Sequence, residues 1–142
     1  MAKIIAATLR QLVLPLHTPY RLSYRTFTEF EPHLISIVDD EGRTGISDSH
    51  ISPGSSSETR EGGWQFCRDS LAWMIGKDSD EVKEAILSRM QKSKVAATGL
   101  VTAIEVMERH PLLDISEDVK LPLLSPTRAF SDHTASYPAA MK

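Results

Sequence analysis

The sequence carries a single cysteine, Cys67, so no internal disulfide can form, and the chain suits a reducing compartment such as the cytoplasm. It also lacks an excess of either charge. Sixteen Lys and Arg face nineteen Asp and Glu, both signs are scattered along the chain, and the formal net charge is -3. That balance gives neither the basic footprint of a nucleic-acid binder nor a polybasic patch for a membrane surface. No apolar run approaches the ~18 residues of a membrane span. The apolar start, Lys3-Ile-Ile-Ala-Ala, is broken by Thr8 and Arg10, too early for a signal core, and reads as a strand. Low-complexity tracts and internal repeats are missing too. At 142 residues, the chain is about the size of one domain with one sizeable core.

What is present changes period along the chain. Lys3 to Leu16 is rich in Ile, Leu and Val, with Leu12, Leu14 and Leu16 in a period-2 pattern that Pro15 and Pro19 interrupt, which predicts a first strand. His17 to Glu31 is polar and aromatic, without long apolar periodicity, and is expected to be a loop carrying at most short extended pieces. His33 to Val38 has apolar residues on both faces, as a strand covered on both sides would. Asp39-Asp-Glu-Gly42 then makes a turn, because Gly42 can take positive φ, and Arg43 to Ser49 returns as a third strand.

From Ser55 the period becomes helical. Ser55 and Glu58 have capping-box spacing for a helix starting near Ser57. Trp64, Cys67, Leu71 and Met74 form its apolar stripe, Ile75 widens it, and Gly76 is its stop. Phe66 and Trp73 belong to the same expected core, and Gly62-Gly63 indicates either a late helix start or close packing on a neighbour. Asp78 with Glu81 starts a second helix with Val82, Ile86 and Met90 on one face, reinforced by Leu87. Ala97, Leu100, Ile104 and Met107 mark a third from about Lys94 to Arg109, ended by Pro111. Val119 to Ser125 is a further short strand candidate, restricted by Pro122 and Pro126. The fold class predicted is α+β: a three-stranded antiparallel meander followed by a bundle of about three helices.

Two loops, Thr18 to Thr26 and Ser49 to Ser57, fall at the same end of such a sheet, where ligand contacts are commonly made. In the first, Tyr20, Arg21, Tyr24 and Arg25 combine aromatic faces that can enclose a ligand with guanidinium groups that can hold a carboxylate through two hydrogen bonds. The plain alternative is an exposed loop with solvated arginines. Asp48 and His50, two apart on a strand, point to one side, but no third ligand or nucleophile has a supporting spacing, and a hydrogen-bonded pair at a strand end accounts for them better than a metal or catalytic site. His17, His33, His110 and His133 are dispersed and read as surface or packing residues. Gly54-Ser-Ser-Ser57 could offer N–H groups to an anion, yet it has no Walker Lys and no dinucleotide Gly pattern.

The order strand, aromatic loop, strand, acidic turn, Gly-containing strand, Ser/Gly loop and three helices resembles the N-terminal capping domain of the enolase superfamily, in its mandelate racemase and muconate-lactonizing branches. The segments that carry the likeness are Leu14-Pro-Leu-His-Thr-Pro-Tyr, Ser23-Tyr-Arg-Thr-Phe-Thr-Glu, Gly45-Ile-Ser-Asp48, Ser57-Glu-Thr and the Ala-rich start of the third helix. Gly45-Ile-Ser-Asp48 stands where the family usually reads Gly-x-Gly-Glu, and Arg25 where it commonly has Gly. The resemblance implies that residues 1–113 are the capping domain and that 114–142 are a linker and the start of a truncated barrel. It implies a parent enzyme, a racemase, epimerase, dehydratase or cycloisomerase, that binds Mg²⁺ in the barrel and removes a proton beside a carboxylate. The metal stabilises the resulting enediolate, and a base takes the proton. Neither the ligands nor the base has a counterpart in this chain, which alone should not catalyse the reaction. The capping residues implied to meet the carboxylate substrate are Tyr20, Arg21, Ser23, Tyr24, Arg25, His50 and Ser52. The implied partners are the barrel domain and further copies in a homo-oligomer. The other class of reading is a stand-alone binding or oligomerisation module without enzymatic activity.

Overall fold

The computed structural model describes residues 2–113, and the strand candidate at 119–125 and His133 lie outside them. Five strands precede three helices: β1 (Ile4–Gln11), β2 (Leu14–Arg21), β3 (Thr26–Phe30), β4 (His33–Asp39), β5 (Thr44–Ser49), α1 (Arg60–Met74), α2 (Ser79–Ser88) and α3 (Lys94–Glu108). The main sheet is the expected antiparallel meander, in the order β1-β4-β5. The expected first strand ends at Gln11, and its last residues, Leu14 to Leu16, join the stretch expected to be a loop in a second sheet, the β2-β3 hairpin. Prolines are tolerated there because a two-stranded ribbon leaves many N–H groups facing solvent. Its pairing is correspondingly sparse: Leu14 and Pro15 pair with Phe30 and Glu29, and after an irregularity Tyr20 and Arg21 pair with Phe27 and Thr26.

Alternation in β4 buries Ile35 and Ile37 and leaves Leu34, Ser36 and Val38 half-buried, so only one face of the sheet is fully covered. The covered face receives Ile4, Ala7 and Leu9 from β1 and packs on Cys67, Leu71 and Met74 of α1, Val82 and Ile86 of α2, and Leu100, Ile104 and Met107 of α3. A bulge between Ile4 and Ala6 lets both Ile4 and the later Ala7 and Leu9 face this core. The outer face carries Ile46, 56% exposed.

Local signals fix the connections. Asp39 to Gly42 forms the tight turn, with the Gly42 N–H donating to the Asp39 carbonyl at 3.1 Å and φ of 79° at Gly42. Asp78 caps α2 through a 3.0 Å bond from the Asp80 N–H, and Ser93 caps α3 at the Ala96 N–H. The first helix departs from the expected capping box. Thr59 is its N-cap, while the Ser55 hydroxyl donates to the Ser52 carbonyl and Glu58 turns away to α3. The Gly62-Gly63 pair lies inside the first turn of α1 because Gly63 packs on Ile51, where a Cβ would collide with the isoleucine Cδ1. Three residues read as stripe or core lie outside it. Ile75 and Leu87 are exposed, and Trp73 sits on the surface with its ring under the Lys77 ammonium at 4.6 Å.

Candidate functional site

The β2-β3 hairpin and the segment after β5 meet at one end of the molecule. The hairpin tip closes by a 2.8 Å bond from the Leu22 N–H to the Arg25 carbonyl, which presents Ser23, Tyr24 and Arg25 to solvent. Tyr24 leans across to the other loop, and a Cβ placed on Gly54 would stand 3.0 Å from its ring. Gly54 is thus required twice over, by that approach and by its φ of 97°. Below the tip, the rings of Tyr20, Phe27 and Phe30 cluster with centroids 5.8 to 6.5 Å apart. The His50 ring stands edge-on to Phe30 at 4.8 Å. Arg25 lies over the Phe27 face at 5.3 Å, which orients its guanidinium without neutralising it.

Of the residues singled out from sequence, Tyr20, Arg25 and His50 are therefore tied into one aromatic assembly with Phe27 and Phe30, and Tyr24 makes a separate contact with the second loop at Gly54. Arg21 and Ser23 are exposed on the hairpin with no side-chain partner among the described residues. Ser52 is half-buried and acts through its carbonyl, which accepts from the Ser55 N–H at 3.1 Å and hydroxyl at 2.7 Å. Asp48 and His50 do not form the hydrogen-bonded pair expected at the strand end: Asp48 is exposed, and His50 Nε2 has no partner among the described residues. Phe27 and Phe30 hold the assembly together. They lie three apart, so no period-2 alternation marked the strand that carries them.

His33 supports this end from below. It is 2% exposed, packs edge-on against Trp64 at 5.2 Å, and has an Nδ1 without a hydrogen-bond partner among the described residues. Burial, with the nearby His50 adding to it, holds its pKa below the ordinary histidine value and keeps the ring neutral. Beside it, Arg60 at the start of α1 pairs with Glu31 at the end of the hairpin, anchoring the ribbon to the helix. Burial pushes the Cys67 thiol up to about 12, which leaves it an inert core residue. Among the described residues, no three His, Cys, Asp or Glu side chains come together to hold a metal, so the Mg²⁺ implied by the resemblance finds no fitting ligand set there. No described helix is long and apolar enough to cross a membrane.

No protein-family model and no curated protein matches the chain. Solved structures do. A mandelate racemase/muconate lactonizing protein from Herpetosiphon aurantiacus superposes with a TM-score of 0.66 at 19% identity, over 77% of this chain and 32% of its own. An N-succinyl Arg/Lys racemase from Bacillus cereus gives 0.68 at 18% identity, over 78% and 31%. The fold is the one that these structures share over about a third of their length. A dipeptide epimerase from Methylococcus capsulatus, solved with Mg and the dipeptide L-Arg-D-Lys, superposes with a TM-score of 0.65 at 23% identity, over 78% of this chain and 32% of its own. The chain spans about a third of the length of these structures. The three-stranded sheet and the three helices follow the order read from sequence, and the hairpin stands where a loop was expected.

Proposed function

We propose that this domain is the cap of a Mg-dependent enzyme that acts on the carbon beside a carboxylate, as a racemase, epimerase, dehydratase or cycloisomerase. The observation that carries the reading is the meeting of the two loops, with Tyr24 over Gly54 and His50 against Phe30. A cap must offer a surface that covers a small molecule and excludes water, and aromatic faces flanked by guanidinium groups suit a carboxylate ligand. Arg21 and Arg25 would take the carboxylate, Tyr20 and Tyr24 would wall the ligand, and Ser23, His50 and Ser52 would set its fit. Residues 1–113 would form the cap, and 114–142 a linker leading into a barrel. That barrel would supply the metal ligands and the base. The same reading places the enzyme in the cytoplasm as a homo-oligomer.

The test is kinetic. In the complete enzyme, Arg21→Ala or Arg25→Ala should raise KM for carboxylate substrates about tenfold or more, the loss of one charge-assisted contact of ~1.4 kcal/mol or above. Unchanged kinetics across such substrates would overturn the assignment. The exposed apolar residues Ile5, Ile46 and Leu112 favour a second reading, a binding or assembly module without activity. A monodisperse monomer in light scattering would remove it.

A further inference from the structure

The face of the main sheet that turns away from the helices has no element over it among the described residues. Register sets its side chains in three rows across the strands. Leu34 stands between Arg10 and Asp48, Ser36 between Thr8 and Ile46, and Val38 between Ala6 and Thr44. Paired residues of an antiparallel sheet point to the same side, and Ile35, Ile37 and Gly45, one step out of phase, are the ones buried against the helices. All the β1 and β5 members of these rows are exposed, and Leu34 and Val38 between them are half-buried. The bulge adds exposed Ile5 to this face, between the inward Ile4 and Ala7.

The charges of this face lie at opposite edges of one row. Arg10 on β1 and Asp48 on β5 flank Leu34, two strand spacings or about 10 Å apart. Neither forms an ion pair among the described residues. That placement is self-complementary. A two-fold axis running along β4, just above the sheet, lays β1 of one copy over β5 of the other. Each Arg10 then meets the Asp48 of the other copy, Leu34 and Val38 meet their own counterparts on the axis, and Ile46 covers Thr8. An axis across the strands instead lays Arg10 over Ala6 and Asp48 over Thr44, so charge selects the first arrangement. Two sheets stacked in this way have aligned strands about 10 Å apart, the ordinary geometry of a sandwich. The patch is smaller than the ~800 Å² per partner of a standard interface, so association through it alone is weak and depends on concentration.

We propose that the outer face of this sheet is a two-fold interface with a second copy of the chain, closed by reciprocal Arg10–Asp48 pairs around Leu34, Val38 and Ile46. This interface gives the proposed homo-oligomer its contact surface and rests on that part of the reading, while using nothing of the hairpin end or its ligand. Sedimentation equilibrium of the intact protein, from low to high micromolar concentration, should show a reversible association step. Arg10→Asp and Asp48→Arg each set like charges opposite one another, and each should weaken that step at least about tenfold. The double variant Arg10→Asp with Asp48→Arg should restore the parent affinity, a rescue that damage to the fold cannot produce. Ile46→Lys should weaken association without lowering the unfolding midpoint of the monomer, because Ile46 is exposed in the single chain. A monomer at every concentration overturns the interface and the homo-oligomer together. An oligomer that keeps its affinity in Arg10→Asp, or that the double variant fails to restore, overturns the interface alone and leaves the homo-oligomer standing.

Discussion

Asp39 shows how one side chain can hold a turn and a strand end together. It is buried, yet its carboxylate accepts from the Glu41 N–H at 3.0 Å, the Arg43 N–H at 2.8 Å and the Arg43 Nε at 2.6 Å. Burial pushes its pKa up, but the bonds from Arg43 and Glu41 outweigh that and hold it below the usual carboxylate value. A depressed carboxyl pKa stabilises the fold above the unfolded value of roughly 3.9, and the contribution is lost as pH falls through the folded value. Asp39→Ala should therefore lower stability at neutral pH by about 1–3 kcal/mol, since two turn N–H groups lose their acceptor. The gap between variant and parent in urea unfolding should narrow below about pH 4. A gap that stays constant with pH would show that the carboxylate charge contributes nothing.

Among the elements, the contact between β5 and α3 has the least room for change. A Cβ on Gly45 would run into the Ala103 carbonyl oxygen and crowd the Met107 backbone. Gly45→Ala must push the helix off the edge strand, at a cost of roughly 1–3 kcal/mol for overpacking. Gly42→Ala meets no neighbouring atom and is penalised only by its positive φ, by about 1 kcal/mol. Thermal unfolding of the two variants should rank them in that order, and a larger loss at Gly42 would mean that the helix can give way. The three helices were legible because long apolar stripes such as Val82-Ile86 and Leu100-Ile104-Met107 have a period that only a helix satisfies. The hairpin was not, because Pro15, Pro19 and a run of polar residues hide a ribbon that depends on Phe27 and Phe30 rather than on alternation. The candidate loops could be placed at one end from strand order alone. The aromatic bridge between them depends on tertiary approach, as at Gly54, which no local pattern encodes.

For the whole molecule, the decisive contrast is between a covered core and a bare working end. The helices cover one sheet face, while the loop end presents Tyr20, Tyr24 and the arginines outward with no element above them among the described residues. Under the proposed capping role this end would close against a second body, and the matched structures are about three times as long as this chain. The intact mass of the protein isolated from its own cells tests that requirement directly. The capping role expects a mass exceeding 15.8 kDa by ~200 residues or more, the size needed to complete a barrel. It also expects Arg21 and Arg25 to become protected from solution reagents once a carboxylate substrate is bound. A mass of 15.8 kDa would remove the barrel from the scheme and with it the proton abstraction. The aromatic end would then have to meet a separate partner, and crosslinking from Tyr24 would be the way to find it.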